Sequence, residues 1–167
     1  MATFLSTFLM KVDKKGRVSV PATFRAALSQ DQGHPAFSGI VAFPSPVAAA
    51  IDARGRVDFD ALLGQLRSHA VASVGPDLAL LGGAETAADQ ILAAAAFELP
   101  FDSEGRIALP EAFIAHAALA EQVAFVGRGS FFQLWSPDNF AARQAEDLQR
   151  VRTRLTAGRP PGERGKP

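Results

Sequence analysis

Asp13-Lys14-Lys15-Gly16-Arg17-Val18-Ser19-Val20-Pro21 decides the reading of this chain because it comes back. Asp102-Ser103-Glu104-Gly105-Arg106-Ile107-Ala108-Leu109-Pro110 repeats it 89 positions later, and Phe24 and Phe113 stand three residues after each proline. Asp, Gly, Arg, Pro and Phe recur at one offset, with Val18/Ile107 and Val20/Leu109 aliphatic in both copies. Matches at this many positions mark an internal duplication. Each copy reads as a hairpin turn: Asp bonds amides downstream of itself, and Gly supplies the positive φ that closes the reversal. Arg17 to Val20 then alternates polar and apolar residues as a half-buried strand does. Pro21 ends that strand and fits the first turn of a helix over 21–28, with Phe24 and Leu28 on one face.

Outward from the motif, 4–12 is rich in Phe, Leu, Val and Thr and is expected to be the strand entering the first turn. The apolar run 37–43 is a second strand, followed by Ser45-Pro46; 131–135 is likewise followed by Ser136-Pro137. Ser at an N-cap with Pro behind it predicts a helix start at both places, extending the duplication at an offset of 91. Asp52-Ala53-Arg54-Gly55-Arg56-Val57 resembles a third copy but lacks the proline, and reads as an exposed turn before a helix capped by Asp58 or Asp60. That helix is expected to run to about Ser68, with Leu62, Leu63 and Leu66 inward. Gly75-Pro76 and Gly82-Gly83 make 70–83 a linker. The Ala-rich stretch 86–97 predicts a helix in the core. The strands 123–126 and 131–135 form a hairpin around Gly127-Arg128-Gly129, and a long helix follows from Pro137 to about Leu155. From Gly158 onward Gly, Pro, Arg and Lys dominate, as in a disordered basic tail.

Charge separates the two copies. Lys11, Lys14, Lys15, Arg17 and Arg25 face only Asp13 within the first 30 residues, although the whole chain of 167 residues carries 17 bases and 17 acids. Around the second copy, Glu98, Asp102, Glu104 and Glu111 face only Arg106. A basic turn can enter a DNA groove or grip phosphates, whereas an acidic one repels them. Arg17 is the expected reader, forking onto a guanine edge. Lys11, Lys14, Lys15 and Arg25 are expected phosphate contacts, and Asp13 and Gly16 shape the turn and orient Arg17. Asp102, Gly105 and Arg106 form the weaker second motif, assigned to an interface or to core pairing.

Several classes of function are set aside at this level. The chain has no cysteine, so disulfides and thiol nucleophiles are excluded. No catalytic triad, phosphate-cradling Gly-rich loop or metal-ligand spacing is found, so neither an enzyme, a cofactor nor a metal is expected. His34 and His116 have no acidic or histidine partner at metal spacing, and His69 reads as a surface or half-buried residue. No signal peptide and no membrane span are expected, since the apolar start lacks a basic n-region and no apolar run approaches ~18 residues. The chain is expected to be cytoplasmic.

The duplicated Asp-x-x-Gly-Arg-hydrophobic-x-hydrophobic-Pro pattern, with Lys15 before Gly16 and Phe24-Arg25 after Pro21, resembles the MraZ family of bacterial transcription regulators. The resemblance implies an α+β fold of two pseudo-symmetric AbrB-like (swapped-hairpin) β units forming a small barrel, with flanking helices. It places a first repeat at 4–50, connecting helices and linker at 51–96, a second repeat at 97–140, and a C-terminal helix and tail at 141–167. It further implies a nucleoid-associated ring homo-oligomer that binds double-stranded DNA at repeated short G-rich boxes, usually as an autorepressor of the division and cell-wall gene cluster. The competing expectations are a ring-forming scaffold that binds no DNA and an antitoxin of the same swapped-hairpin group, though such antitoxins usually carry one copy of the motif.

Overall fold

The computed structural model describes residues 2–30, 37–74 and 88–158. Chain order is β1 (Thr7–Lys11), β2 (Arg17–Ser19), α1 (Ala22–Gln30), β3 (Gly39–Pro44), β4 (Ala50–Arg54), α2 (Arg56–Val74), then α3 (Ala88–Ala95), β5 (Phe97–Pro100), β6 (Arg106–Ala108), α4 (Glu111–Ala117), β7 (Gln122–Gly127), β8 (Phe132–Trp135) and α5 (Pro137–Ala157). Setting α3 aside, the order β-β-α-β-β-α occurs twice among the described residues, so the duplication extends well beyond the motif.

The halves do not fold side by side. Six strands form one antiparallel sheet in the order β1-β7-β8-β4-β3-β5, and β2 pairs with β6 in a separate two-stranded ribbon. The order is unchanged when each strand is swapped for its counterpart, which is the signature of a pseudo-two-fold through the β4–β8 and β2–β6 pairs. β1 of the first half lies on β7 of the second, Thr7 opposite Val126. β5 of the second half lies on β3 of the first, Gly39 opposite Pro100. Strands β4 and β8 join the halves, Ile51 opposite Leu134.

The expected closure into a small barrel is corrected: β1 and β5 are the two ends of the sheet, and no ladder joins them. The reason is local. Each of these strands runs into an Asp-x-x-Gly turn that carries the chain out of the sheet and into the ribbon. For the same reason the first turn does not close an ordinary hairpin; one isolated bridge, Val12 to Val18, links its two arms.

One face of the sheet packs on the ribbon, α1 and α4. Phe24 and Phe113, the residues after the two prolines, are almost wholly buried there. Phe24 meets Phe8 edge-on at 5.5 Å, and Phe113 meets Phe97 edge-on at 5.2 Å. Phe4, Phe125 and Phe132 complete the aromatic centre, and each buried ring contributes about 1.5–3 kcal/mol. The opposite face carries α2, through Phe59 against Val41 and Phe43, and α5, through Phe140 against Trp135 and Val126. Between these patches lies a buried polar row in which Gln133 Nε2 donates to Asp52 Oδ1 at 2.7 Å. Gln133 Oε1 in turn accepts from Trp135 Nε1 and from Arg128 Nε.

Other sequence expectations are also revised. Ser45-Pro46 does not start a helix. Ser45 N–H bonds the Ala50 carbonyl at 2.9 Å, and the chain returns as β4. Pro fits the second position of a turn as well as the first turn of a helix, so the dipeptide alone does not choose. The true counterparts are therefore β3 with β7 and β4 with β8. Asp52 and Arg54 belong to a strand, not to an exposed turn, and the connecting segment drawn from residue 51 begins inside it. Helix α2 starts at Arg56 and runs past Ser68 to Val74, into the stretch read as linker. Helix α3 rides on the surface with Ile91 exposed; only Leu92 of its large apolar residues reaches the cluster under α2. The local closure of the turns, the alternation in β2, the β7–β8 hairpin and α5 stand as expected, whereas the expected pairing of each turn's own two arms as a hairpin is replaced by pairing between the halves. The rest of the linker, the polar loop at 31–36 and the basic tail lie outside the described residues.

Candidate functional site

The two Asp-x-x-Gly-Arg turns are built alike, bond for bond. In the first, Asp13 N–H donates to the Arg17 carbonyl (2.8 Å) and Gly16 N–H to the Asp13 carbonyl (3.1 Å). Asp13 Oδ1 accepts from the Lys15 and Arg17 amides at 2.9 Å each, and Oδ2 from Arg17 Nε at 2.8 Å. In the second turn, Asp102 N–H and Gly105 N–H make the same closures at 2.9 and 3.0 Å. Asp102 accepts from the Glu104 and Arg106 amides and from Arg106 Nε, again at 2.9, 2.9 and 2.8 Å. Gly16 and Gly105 sit at φ +74° and +75°, in the left-handed region where a side chain costs about 1–2 kcal/mol.

The ribbon then sets the two arginines diagonally on one face. Arg17 is opposite Ala108, Val18 opposite Ile107 and Ser19 opposite Arg106. Val20 N–H to the Gly105 carbonyl and Leu109 N–H to the Gly16 carbonyl tie each turn to the other strand. Side chains alternate across a strand. Val18 and Ile107 therefore go into the core, and Arg17, Ser19, Arg106 and Ala108 share the outward face.

The electrostatics of that face differ from one end to the other. At the first turn Lys14 and Lys15 are exposed, and Lys11 is exposed at the end of β1. Arg17 commits Nε to Asp13; its terminal nitrogens have no bonded acceptor among the described residues. At the second turn, Arg106 commits Nε to Asp102, while Nη1 lies 3.2 Å from Glu104 Oε2 and 3.8 Å from Asp13 Oδ2. Arg106 thus spans both turns. The Arg17 amide, aided by its guanidinium and the Lys15 amide, holds the Asp13 carboxyl below its ordinary range. The Arg106 amide does the same for Asp102, and Asp102 in return raises Arg106.

Arg25 stands apart from the other first-half cations. Its Nε donates to the Val20 carbonyl at 3.1 Å, and its guanidinium lies over Gly105, where an added Cβ would come within 2.5 Å of Nη1. It braces the second turn. The structure therefore brings Lys11, Lys14, Lys15 and Arg17 together with Arg106, and sends Arg25 to the far end of the ribbon.

Sequence reasoning missed Ser19 and Ala108 as members of the outward face. The signal was available, since both occupy the polar phase of their strands. Among the described residues no three His, Asp or Glu side chains converge on a metal-sized site. No described helix is long and apolar enough to cross a membrane. His116 is engaged with the Ala48 carbonyl at 3.1 Å.

Chemically, the site offers an exposed two-stranded ribbon with a free guanidinium fork and flanking ammonium groups. A family model described as MraZ protein and antitoxin-like matches residues 92–157. Over longer spans, the chain is 39% identical to a transcriptional regulator MraZ of Xanthobacter autotrophicus across 155 residues, covering 91% of this chain and 88% of the relative. It is 39% identical to that of Rickettsia canadensis across 140 residues (84% and 85%) and 40% identical to that of Rickettsia bellii across 141 (84% and 85%). A match at this identity across both halves places the duplicated turns within the aligned design, and the chain belongs to the MraZ family.

Proposed function

We propose that this chain is a sequence-specific DNA-binding transcriptional regulator that reads short repeated G-rich boxes with the β2–β6 ribbon. The observation that carries the reading is Arg17: Nε is held by Asp13 at 2.8 Å, which fixes the guanidinium while its outer edge remains available for a guanine's O6 and N7. Two-stranded ribbons fit the major groove. Lys11, Lys14 and Lys15 flank the fork as phosphate contacts that set position. The relatives named above are called transcriptional regulators, which agrees with this use of the site. Strand exchange between the halves supports the swapped-hairpin, AbrB-like description of the fold.

Affinity argues for assembly. One guanine fork supplies ~1–3 kcal/mol, whereas nanomolar binding requires ~12 kcal/mol. Several linked protomers on repeated boxes make up the difference through effective concentration. The surface is suited to a ring: β1 and β5 leave free sheet edges, with Leu5, Leu9 and Phe97 exposed beside them, and α5 exposes Leu148, Val151 and Leu155. The protein would act as a nucleoid-associated autorepressor of the division and cell-wall gene cluster. The test is a gel shift with the DNA upstream of its own gene at two salt concentrations. A retarded, salt-sensitive complex that outcompetes shuffled duplex is expected; no retardation at either salt leaves a ring-forming scaffold as the reading.

A further inference from the structure

We propose that Glu104 makes the ribbon one-sided: its carboxylate pairs with Nη1 of Arg106, so that of two arginines on one face only Arg17 engages nucleic acid. This rests on the DNA-reading role above. The ground for it is the comparison of two turns whose backbones match bond for bond. With the frame held constant, the side chains alone decide how each end behaves. Position 104 is the counterpart of position 15, and there Lys15 is replaced by an acid. Glu104 Oε2 sits 3.2 Å from Arg106 Nη1, while no acceptor among the described residues takes the terminal nitrogens of Arg17.

A carboxylate at that nitrogen does two things. It pairs by charge with a nitrogen that would otherwise be offered to a base or a phosphate, and it places a negative charge where a phosphate would approach. The Glu104 side chain is 67% exposed, so the pair is screened and weak as a stabilising contact. Its effect therefore falls on binding and barely on folding. Arg106 keeps a structural role, since Nη1 also reaches to 3.8 Å from Asp13 Oδ2 and so helps to hold the carboxylate that aims Arg17. In this arrangement Arg106 is a positioning residue and Glu104 a determinant of which end of the ribbon faces DNA.

The experiment is a double-mutant cycle on the full chain, read by fluorescence anisotropy over a salt series. The probes are the duplex upstream of its own gene and a shuffled duplex. Glu104→Lys, which makes the second turn electrostatically like the first, is expected to tighten binding about tenfold at moderate salt and to steepen the dependence on salt by about one phosphate equivalent. Glu104→Gln, close in shape, is expected to move both in the same direction by about threefold, and decides the matter should the lysine variant fail to fold. Arg106→Ala is expected to weaken binding less than about threefold alone but about tenfold in the Glu104→Lys background. Unchanged or weaker binding by both Glu104 variants overturns the inference. So does an Arg106→Ala loss equal to that of Arg17→Ala in the wild-type background. If the wild-type chain itself binds neither duplex, the DNA-reading role falls and this inference with it. If the wild type binds and Arg17→Ala abolishes it while position 104 is silent, the inference falls alone.

Discussion

Arg17→Lys separates a base-reading fork from a phosphate contact, because it removes the fork and keeps the charge. In the folded protein Arg17 divides its guanidinium: Nε goes to Asp13 Oδ2 at 2.8 Å, and the terminal pair faces outward. Lysine has one compact ammonium and cannot serve both directions. The turn itself survives the change, since Asp13 Oδ1 keeps the Lys15 and Arg17 amides at 2.9 Å each and Gly16 keeps its closure. The half-exposed Asp13–Arg17 pair is screened by water and contributes little to folding. Binding bears the cost. A lost fork is worth ~1–3 kcal/mol, or about 5- to 150-fold in discrimination per box. The factor compounds when several protomers occupy linked boxes. Anisotropy titrations of the own-upstream and shuffled duplexes over a salt series read both quantities. Arg17→Lys should lose the preference and keep the salt slope; Arg17→Ala should lose the preference and about one unit of slope. If Arg17→Lys retains the preference for its own duplex, Arg17 does not read bases and the reasoning fails.

Three further expectations concern the frame that holds the ribbon. Gly16→Ala and Gly105→Ala both force alanine to a left-handed φ, at about 1–2 kcal/mol each in urea unfolding. Gly105→Ala should cost more, because its Cβ displaces the Arg25 guanidinium, and the excess should vanish in an Arg25→Ala background; equal costs in the wild-type background would contradict the brace. Phe132→Ala removes a wholly buried ring in contact with Phe4, Phe24 and Phe125, and should destabilise by about 3–5 kcal/mol, with a value under 1 kcal/mol refuting its central place. Asp52 is held above its ordinary value of 3.8 by burial, so its contribution is fully present below that value and is lost as pH rises through the folded value. Asp52→Asn keeps an acceptor for Gln133 and should gain in Tm over wild type as pH rises from acid toward neutral. Asp13 and Asp102 have the opposite sign, their stabilisation fading as pH falls below 3.8, so the acid limb should remain in Asp52→Asn. A gap in Tm that does not change with pH would remove Asp52 from the account.

What the sequence made legible is what is local. The Asp-x-x-Gly-Arg turns, the strand phase of Val18 and Val20, and the helix after Pro21 each depend on residues within a few positions of one another. The Phe8–Phe97 pair was also within reach, since it keeps the same offset of 89 and packs on Phe24 and Phe113 in the same way. Strand β4 was not legible. Asp52 and Arg54 alternate with Ile51 and Ala53 as a half-buried strand requires, but Asp and Arg around Gly55 imitate the turn motif. The partner that satisfies Asp52 is Gln133, 81 residues away. Strand exchange was equally hidden to residue-level reasoning: in a duplicated chain, pairing within a half and pairing between halves use the same local pattern. The placing of Arg106 diagonally across from Arg17 follows from that exchange alone. The two motifs therefore read as separate ends until the β2–β6 register joined them on one face.

The internal comparison also says which part of the element the fold requires. At the counterpart positions, Lys11 becomes Pro100, Lys14 becomes Ser103, Lys15 becomes Glu104 and Arg25 becomes Ile114; of the five first-half cations, only Arg17 keeps its charge, as Arg106. The turn closes identically without the other four, so they are not needed to build it. Arg17 and Arg106 persist because the carboxylate of each turn takes an Nε donor. A structural use of Arg17 does not compete with a reading use, because the two employ different edges of one guanidinium. The Asp13 contact helps the second use by fixing the plane of the fork before any DNA arrives, which lowers the entropy lost on binding. At Arg106 one nitrogen of that edge, Nη1, lies near Glu104 and Asp13 instead. One backbone device, used twice, thus leaves an unengaged guanidinium edge at one end and makes a tie between the turns at the other, and position 15/104 carries the clearest reversal of charge between them.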